Sequence, residues 1–167
     1  MRIYVASSWR NPYQPAVVSH LRTFGFEVYD FKSPDPSGGF SWKEVDPRWQ
    51  EWSLTEYRKA LLSSAAVRGF ERDMEALRRC DACVLVQPCG TSAHLELGWA
   101  VGAKKRTVVL FPVDYEVDAS LPPDQIEQQR SRLSSFEAEL MARMADHILI
   151  GSDEMDTWSQ NHRSWSS

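Results

Sequence analysis

An excess of basic charge is missing from this chain. Among 167 residues, 19 Lys and Arg stand against 23 Asp and Glu, a formal net charge of −4. A groove for a nucleic-acid polymer needs clustered cations, so no polymer partner is expected, and a small-molecule ligand is. No apolar run approaches the length of a membrane span, so no membrane partner is expected. Cysteine is scarce and odd in number, three residues, which suits a reducing cytoplasm rather than a disulfide framework. Neither a G-x-G-x-x-G nor a Walker loop occurs, and nucleotide-cofactor folds of those types are unsupported. Cys80 and Cys83 make a lone C-x-x-C running into a strand, with only Cys89 and His94 nearby. Zinc would want a second pair at proper spacing, so no metal is expected and the thiols read as buried and neutral. Strand-like residues occupy the chain from Arg2 onward, and no signal peptide is expected ahead of the fold.

What is present is an alternation of short apolar runs and helical patterns. Strands are expected at 3–6, 26–31, 82–86, 107–111 and 147–150. Helices are expected near 17–24, 54–62, 66–79, 93–103 and 136–144. Gly25 stops the first helix. Such alternation argues a doubly wound parallel sheet of about five strands in one domain, residues 1–151. A Pro, Gly, Ser and Trp-rich loop fills 32–52, long enough to have a function. Residues 113–132 read as a polar excursion, and 152–167 as a short helix and frayed tail.

The stretch from Cys80 to Ala103 carries the strongest chemical signal. It reads as a buried strand, a Pro/Gly loop, and a helix with Glu96 near its start. Ligands of open α/β sheets bind beyond the carboxyl ends of the strands, where loops lead into helices. If Thr91 or Ser92 caps this helix, the backbone dipoles favour an ionised Glu96, which can attack an electrophilic carbon. An ordinary acid near a helix start explains the residue equally well. Gly98 and Gly102 are expected to let the helix pack tightly on the sheet.

On the helix before the strand, Val67, Phe70, Met74 and Leu77 are expected to form the apolar stripe, with Asp73 at its border. A buried acid is costly unless paired or working. Asp73 and Glu96 together suit an acid and a nucleophile, because two nearby carboxylates push their pKa values apart. A salt bridge from Asp73 to a neighbouring arginine is the plainer account. The loop Ser7-Ser8-Trp9-Arg10-Asn11 offers hydroxyls, N–H groups and a guanidinium for an anion or a sugar hydroxyl; a polar turn is the alternative. Trp42, Trp49 and Trp52, with Phe40, either stack on a flat base or simply fold the long loop. His94 is expected to be structural or to line a pocket rim.

With these residues in place, the chain resembles the nucleoside 2-deoxyribosyltransferase superfamily, which includes 2-deoxynucleoside 5-monophosphate N-hydrolases. The likeness covers 3–11 and 69–111, and more weakly 140–150. It rests on Asp73 eight residues before Asp81, then Glu96-Leu97-Gly98, then the basic turn Lys104-Lys105 into the next strand. The resemblance implies a flavodoxin-like three-layer α/β sandwich, assembled as a homodimer or larger homo-oligomer whose neighbouring subunits complete each site. It implies a nucleoside or nucleotide substrate and no cofactor. Glu96 would be the nucleophile at the anomeric carbon, Asp73 the proton donor to the departing base, and Tyr4 the residue orienting glutamate or sugar.

Departures from the family pattern bear on the substrate. Gly90 stands where the transferases carry an aspartate for the sugar 5-hydroxyl, and Glu139-Leu140-Met141 replaces an Asn-Leu-Met segment. Ser8 and Arg10 match the loop with which the hydrolases meet a phosphate, and Ser92 adds a hydroxyl. Ser7, Ser8, Trp9, Arg10, Gly90 and Ser92 are thus the expected substrate-binding set. The expected activity is transfer of the sugar to a second base, with hydrolysis of a nucleoside monophosphate as one alternative and a non-catalytic nucleotide sensor as another.

Overall fold

In the computed structural model, residues 1–34, 38–135 and 139–163 are described. The chain forms two compact units, Asp30–Arg79 and the remainder. The first unit, built from Met1–Tyr29 and Cys80 onward, carries a parallel sheet of five strands in the order β2-β1-β3-β4-β5. The strands are β1 (Arg2–Ala6), β2 (Glu27–Asp30), β3 (Ala82–Val86), β4 (Arg106–Phe111) and β5 (His147–Ile150). This is the flavodoxin-like order. Its register aligns Val5 with Val84, Val84 with Val108, and Leu110 with Leu149.

Side chains alternate between the two faces of a strand, so a strand covered on both sides must be apolar throughout. β3 is the clearest case, with all five residues buried. Ile3, Val5, Val84, Val108, Leu110 and Leu149 turn to one face, against Val17, Val18 and Leu21 of α1 (Gln14–Thr23) and Met155 and Trp158 of α6 (Gly151–His162). The spacing 14, 17, 18, 21 is one stripe of a helix. Gly25, at φ +81°, turns the chain out of α1 as a left-handed residue after the helix end.

The opposite face is covered by α4 (Thr91–Gly102), which buries Ala93, Leu97 and Ala100 and packs on β1, β3 and β4. Gly98 and Gly102 do not make that contact. Both are exposed, and a Cβ on either would meet nothing within 4 Å. The sheet-facing stripe runs through 93, 97 and 100, which puts 98 and 102 on the solvent side. Small alanines, not glycines, allow the close packing.

The stretch expected to be a polar excursion contains a helix, α5 (Pro123–Ser134), with Gln129 buried. Its mean pattern is polar because most of its surface faces water. The helix expected over 136–144 is a 3-10 turn, Leu140–Met144; residues 136–138 lie outside the described residues. No helix among the described residues is long and apolar enough to cross a membrane.

The second unit holds 3-10 turns at Trp42–Glu44 and Trp49–Glu51, then α2 (Leu54–Ala60) and α3 (Ser64–Arg79). Ser41 with Glu44, and Ser53 with Glu56, form reciprocal capping boxes that start the first turn and α2. Trp42 is the hub. Its ring lies edge-on to Phe40, Trp52 and Tyr57 at centroid distances of 4.9, 5.6 and 5.9 Å. The Trp52 indole donates to Asp46 at 2.9 Å, so the described part of the tryptophan loop is ordered by its own aromatic cluster. On α3 the buried residues are Ala66, Gly69 and Leu77, while Val67 and Phe70 are exposed. The buried stripe is therefore rotated from the expected one, because a Cβ at Gly69 would stand 2.8 Å from Phe40 and small residues are required there.

Candidate active site

At the carboxyl end of the sheet, the loops after β1 and β3 are stitched together by one side chain. Asn11, fully buried, donates its amide to the carbonyls of Val86, Gln87 and Pro88 at 3.2, 3.0 and 3.1 Å. Its Oδ1 accepts from the N–H groups of Tyr13 (2.8 Å) and Gln14 (3.2 Å), opening α1. The Ser7 hydroxyl adds a bond to the Val86 carbonyl at 2.9 Å. Carbonyls leaving a buried strand must find donors, and an amide satisfies them without a charge.

The β3 loop runs through the cis Gln87–Pro88 peptide and Cys89 to Gly90, which is the N-cap of α4. Neither Thr91 nor Ser92 caps this helix. Both are exposed in its first turn, and Gly90 provides no side-chain cap. Glu96 consequently falls in the second turn, beyond the reach of most of the helix-end dipole.

Its position on the helix face is more informative. Ala93, Glu96, Leu97 and Ala100 follow the spacing of one helical stripe, so Glu96 belongs to the side that meets the sheet. Its charge reaches two thiols. Burial first, then Cys80 and Glu96, push the Cys83 thiol well above 9.0. Burial and the Glu139 carboxylate push Cys89 up to about 12, with Arg132 opposing and Glu96 adding to the rise. The Glu96 charge thus bears on a thiol of the β3 strand and on one of the loop after it, as a smaller cause beside burial.

Tyr4, 1 % exposed, aligns with Cys83 in the sheet and stacks on Tyr29 at 5.3 Å, so it shares the α4 face. Ser8, Trp9 and Arg10 form the outer turn of the β1 loop. The Arg10 N–H donates to the Ser8 hydroxyl at 3.2 Å, and the Arg10 and Trp9 side chains are exposed. Tyr4, Ser7, Ser8, Trp9, Arg10, Gly90, Ser92 and Glu96 all belong to the first unit; Asp73 belongs to the second, on α3, four residues from both Gly69 and Leu77.

One residue of this end, Arg132, was not picked out from the sequence, and His94 takes the rim place expected of it. Arg132 of α5 donates to the Cys89 carbonyl at 3.0 Å and to Gln129 Oε1 at 3.3 Å. His94 sets Nδ1 3.0 Å from the Gly90 carbonyl and Nε2 3.3 Å from a Glu139 oxygen. Glu139 therefore pairs with His94 at the rim of the loop. Among the described residues, no group of three or more His, Cys, Asp or Glu is arranged to hold a metal ion.

No family model matches the chain, and no curated protein matches it. Among solved structures it is similar to a CMP N-glycosidase, BcmB, from Clostridium botulinum. The likeness has 14% identity and a TM-score of 0.44, covering 96% of this chain and 97% of that one. A likeness at that level bears no weight on function.

Proposed function

We propose that this protein cleaves the N-glycosidic bond of a nucleoside or nucleotide, with Glu96 as nucleophile, and passes the sugar to a second base. The observation that carries the reading is the place of Glu96: a carboxylate on the sheet-facing side of α4, beside the loop where open α/β sheets take ligands, acting on Cys83 and Cys89. The Glu96 carboxylate forms a bond to the anomeric carbon as the bond to the base breaks. The leaving electron pair goes to the base nitrogen, which takes a proton from a general acid. A second base then attacks the same carbon, Glu96 departs, and the incoming base returns a proton to that acid, a double displacement with retention.

A second reading ends with water in place of the second base, acting on a nucleoside monophosphate. The exposed guanidinium of Arg10 and the bare Gly90 favour it, since Gly90 offers no side chain to a 5-hydroxyl. Three buried cysteines outside any disulfide support a reducing, cytoplasmic setting. Ile148 and Ile150 on edge strand β5, and Leu140 and Met141 in the turn before it, are between 49 % and 82 % exposed, and support a seam with a second copy.

The test is incubation with a 2-deoxynucleoside or its monophosphate, with and without a second free base, followed by chromatography. An exchanged nucleoside supports transfer, and free base alone supports hydrolysis. A mass shift on Glu96 after a 2-fluoro-sugar substrate supports the covalent step. Binding without turnover across the panel, unaltered in Glu96→Ala, replaces the enzyme with a sensor.

A further inference from the structure

We propose that the amino end of the sheet in the first unit holds a second ligand site, for a phosphorylated small molecule of nucleotide size. A cavity of about 790 Å³ opens where β3, β4 and β5 begin, lined by Lys104, Lys105, Arg106, His147 and His162. That volume lies in the range that encloses a small organic ligand. It is not beside Glu96. The strands between the two ends span about 17 Å, and the substrates of such sheets bind at the carboxyl end.

The lining carries more permanent positive charge than negative, with Lys104, Lys105 and Arg106 against two acids. Two acids also line the cavity, Asp81 and Asp146, and both are engaged in tying strands. Asp81 accepts the Arg2 N–H at 2.7 Å. Asp146 accepts the N–H and hydroxyl of Thr107 at 2.8 and 3.0 Å. Lys105 donates to the Cys80 carbonyl at 2.8 Å. Lys104 and Arg106 bring two further permanent cations. His162 binds the Trp158 carbonyl through Nδ1 and meets His147 edge-on at 6.2 Å, giving an aromatic wall beside the charge. Phosphate suits such cations, and a flat organic group suits the wall with Val101 and Met144.

Lys104 supplies an independent sign. It is the one non-glycine among the described residues with positive φ, at 56°. The equivalent exit from α1 uses Gly25. A left-handed Lys is strained where Gly is not, and such strain gathers at functional positions. The dipole at the end of α4 explains a basic residue nearby, but Lys105 already meets that need.

The probe is adenosine 5-monophosphate, with adenosine as control, followed by residue-resolved amide shifts in NMR. The monophosphate is expected to move the amides of 104–107 and 146–148, and adenosine is expected to leave them in place. Lys104→Gly is expected to weaken the monophosphate about tenfold, with a melting temperature equal to or above the parent's. Still amides at 104–107, equal response to adenosine, unchanged affinity in Lys104→Gly, or a lower melting temperature in that variant would each overturn the proposal.

Discussion

The two ends of the sheet solve the same problem with opposite chemistry. Where strands finish, carbonyls need donors, and the neutral amide of Asn11 serves three of them. Where strands begin, N–H groups need acceptors, and the carboxylates of Asp81 and Asp146 serve Arg2 and Thr107. The neutral clasp adds no charge of its own to the end of the sheet that carries Glu96. The acidic clasps are consumed in structure, and cations line the cavity around them. Charge that binds backbone and charge that can do chemistry are thus separated in space.

The largest expected effect tests that separation at the carboxyl end. Glu96→Gln should lower bond cleavage by about 10⁴-fold or more, the scale seen when a nucleophile is removed. Its melting temperature should stay close to the parent's, because Gln keeps the size of Glu and one acceptor oxygen. Paired activity and calorimetry measurements decide this. A large loss of stability would make Glu96 part of the clasp instead.

The converse experiment alters the clasp. Asn11→Ala takes the donor from the Gln87 and Pro88 carbonyls, one of two donors from the Val86 carbonyl, and the acceptor from two N–H groups, which should cost about 3 kcal/mol, or roughly 6–12 °C in melting temperature. Asn11→Asp should be no better, since an ionised carboxylate offers only acceptors to three carbonyls. If Asn11→Asp melts with the parent, the carbonyls have another donor and the comparison between the ends fails. At the amino end, Asp146→Ala should cost less, about 1–2 kcal/mol, for two lost bonds to Thr107.

How much of this was legible in the sequence follows from which interactions are periodic. All five strands were, as short runs with apolar positions, and in β3 burial on both faces makes Ala82 to Val86 apolar throughout. The loop after β1 and the Glu96 helix were located by the same pattern. Which face of α3 and α4 is buried was harder to read. Gly98 and Gly102 suggested packing, yet Ala93, Leu97 and Ala100 provide it. Val67 and Phe70 suggested a stripe, yet the close approach of Phe40 to Gly69 sets another. Helix α5 hid in polar composition, and with it Arg132, whose partner is a backbone carbonyl 43 residues away. Contacts between side chains and distant backbone leave no spacing to read. The work of Asn11 and the cavity around Lys104 belong to that class.

The smallest expected effect measures the reach of Glu96 directly. Burial raises Cys80 from 9.0 to about 11, and raises Cys89 to about 12 with help from Glu139 and Glu96. A thiol raised in the folded state contributes stability that is whole below the unfolded value near 9. That contribution fades as pH climbs toward the folded value. Alkaline destabilisation should therefore begin near pH 9, and Cys89→Ala should flatten its upper part. In Glu96→Gln, one of the charges holding Cys89 up is gone, so its titration, followed by ¹³C-labelled cysteine, should move to lower pH. Cys80, for which Glu96 is not among the perturbing groups, should titrate as before. Equal shifts at both thiols would mean a general loosening of the sheet, and no shift at Cys89 would remove Glu96 from the β3 loop and with it the basis for a nucleophile there.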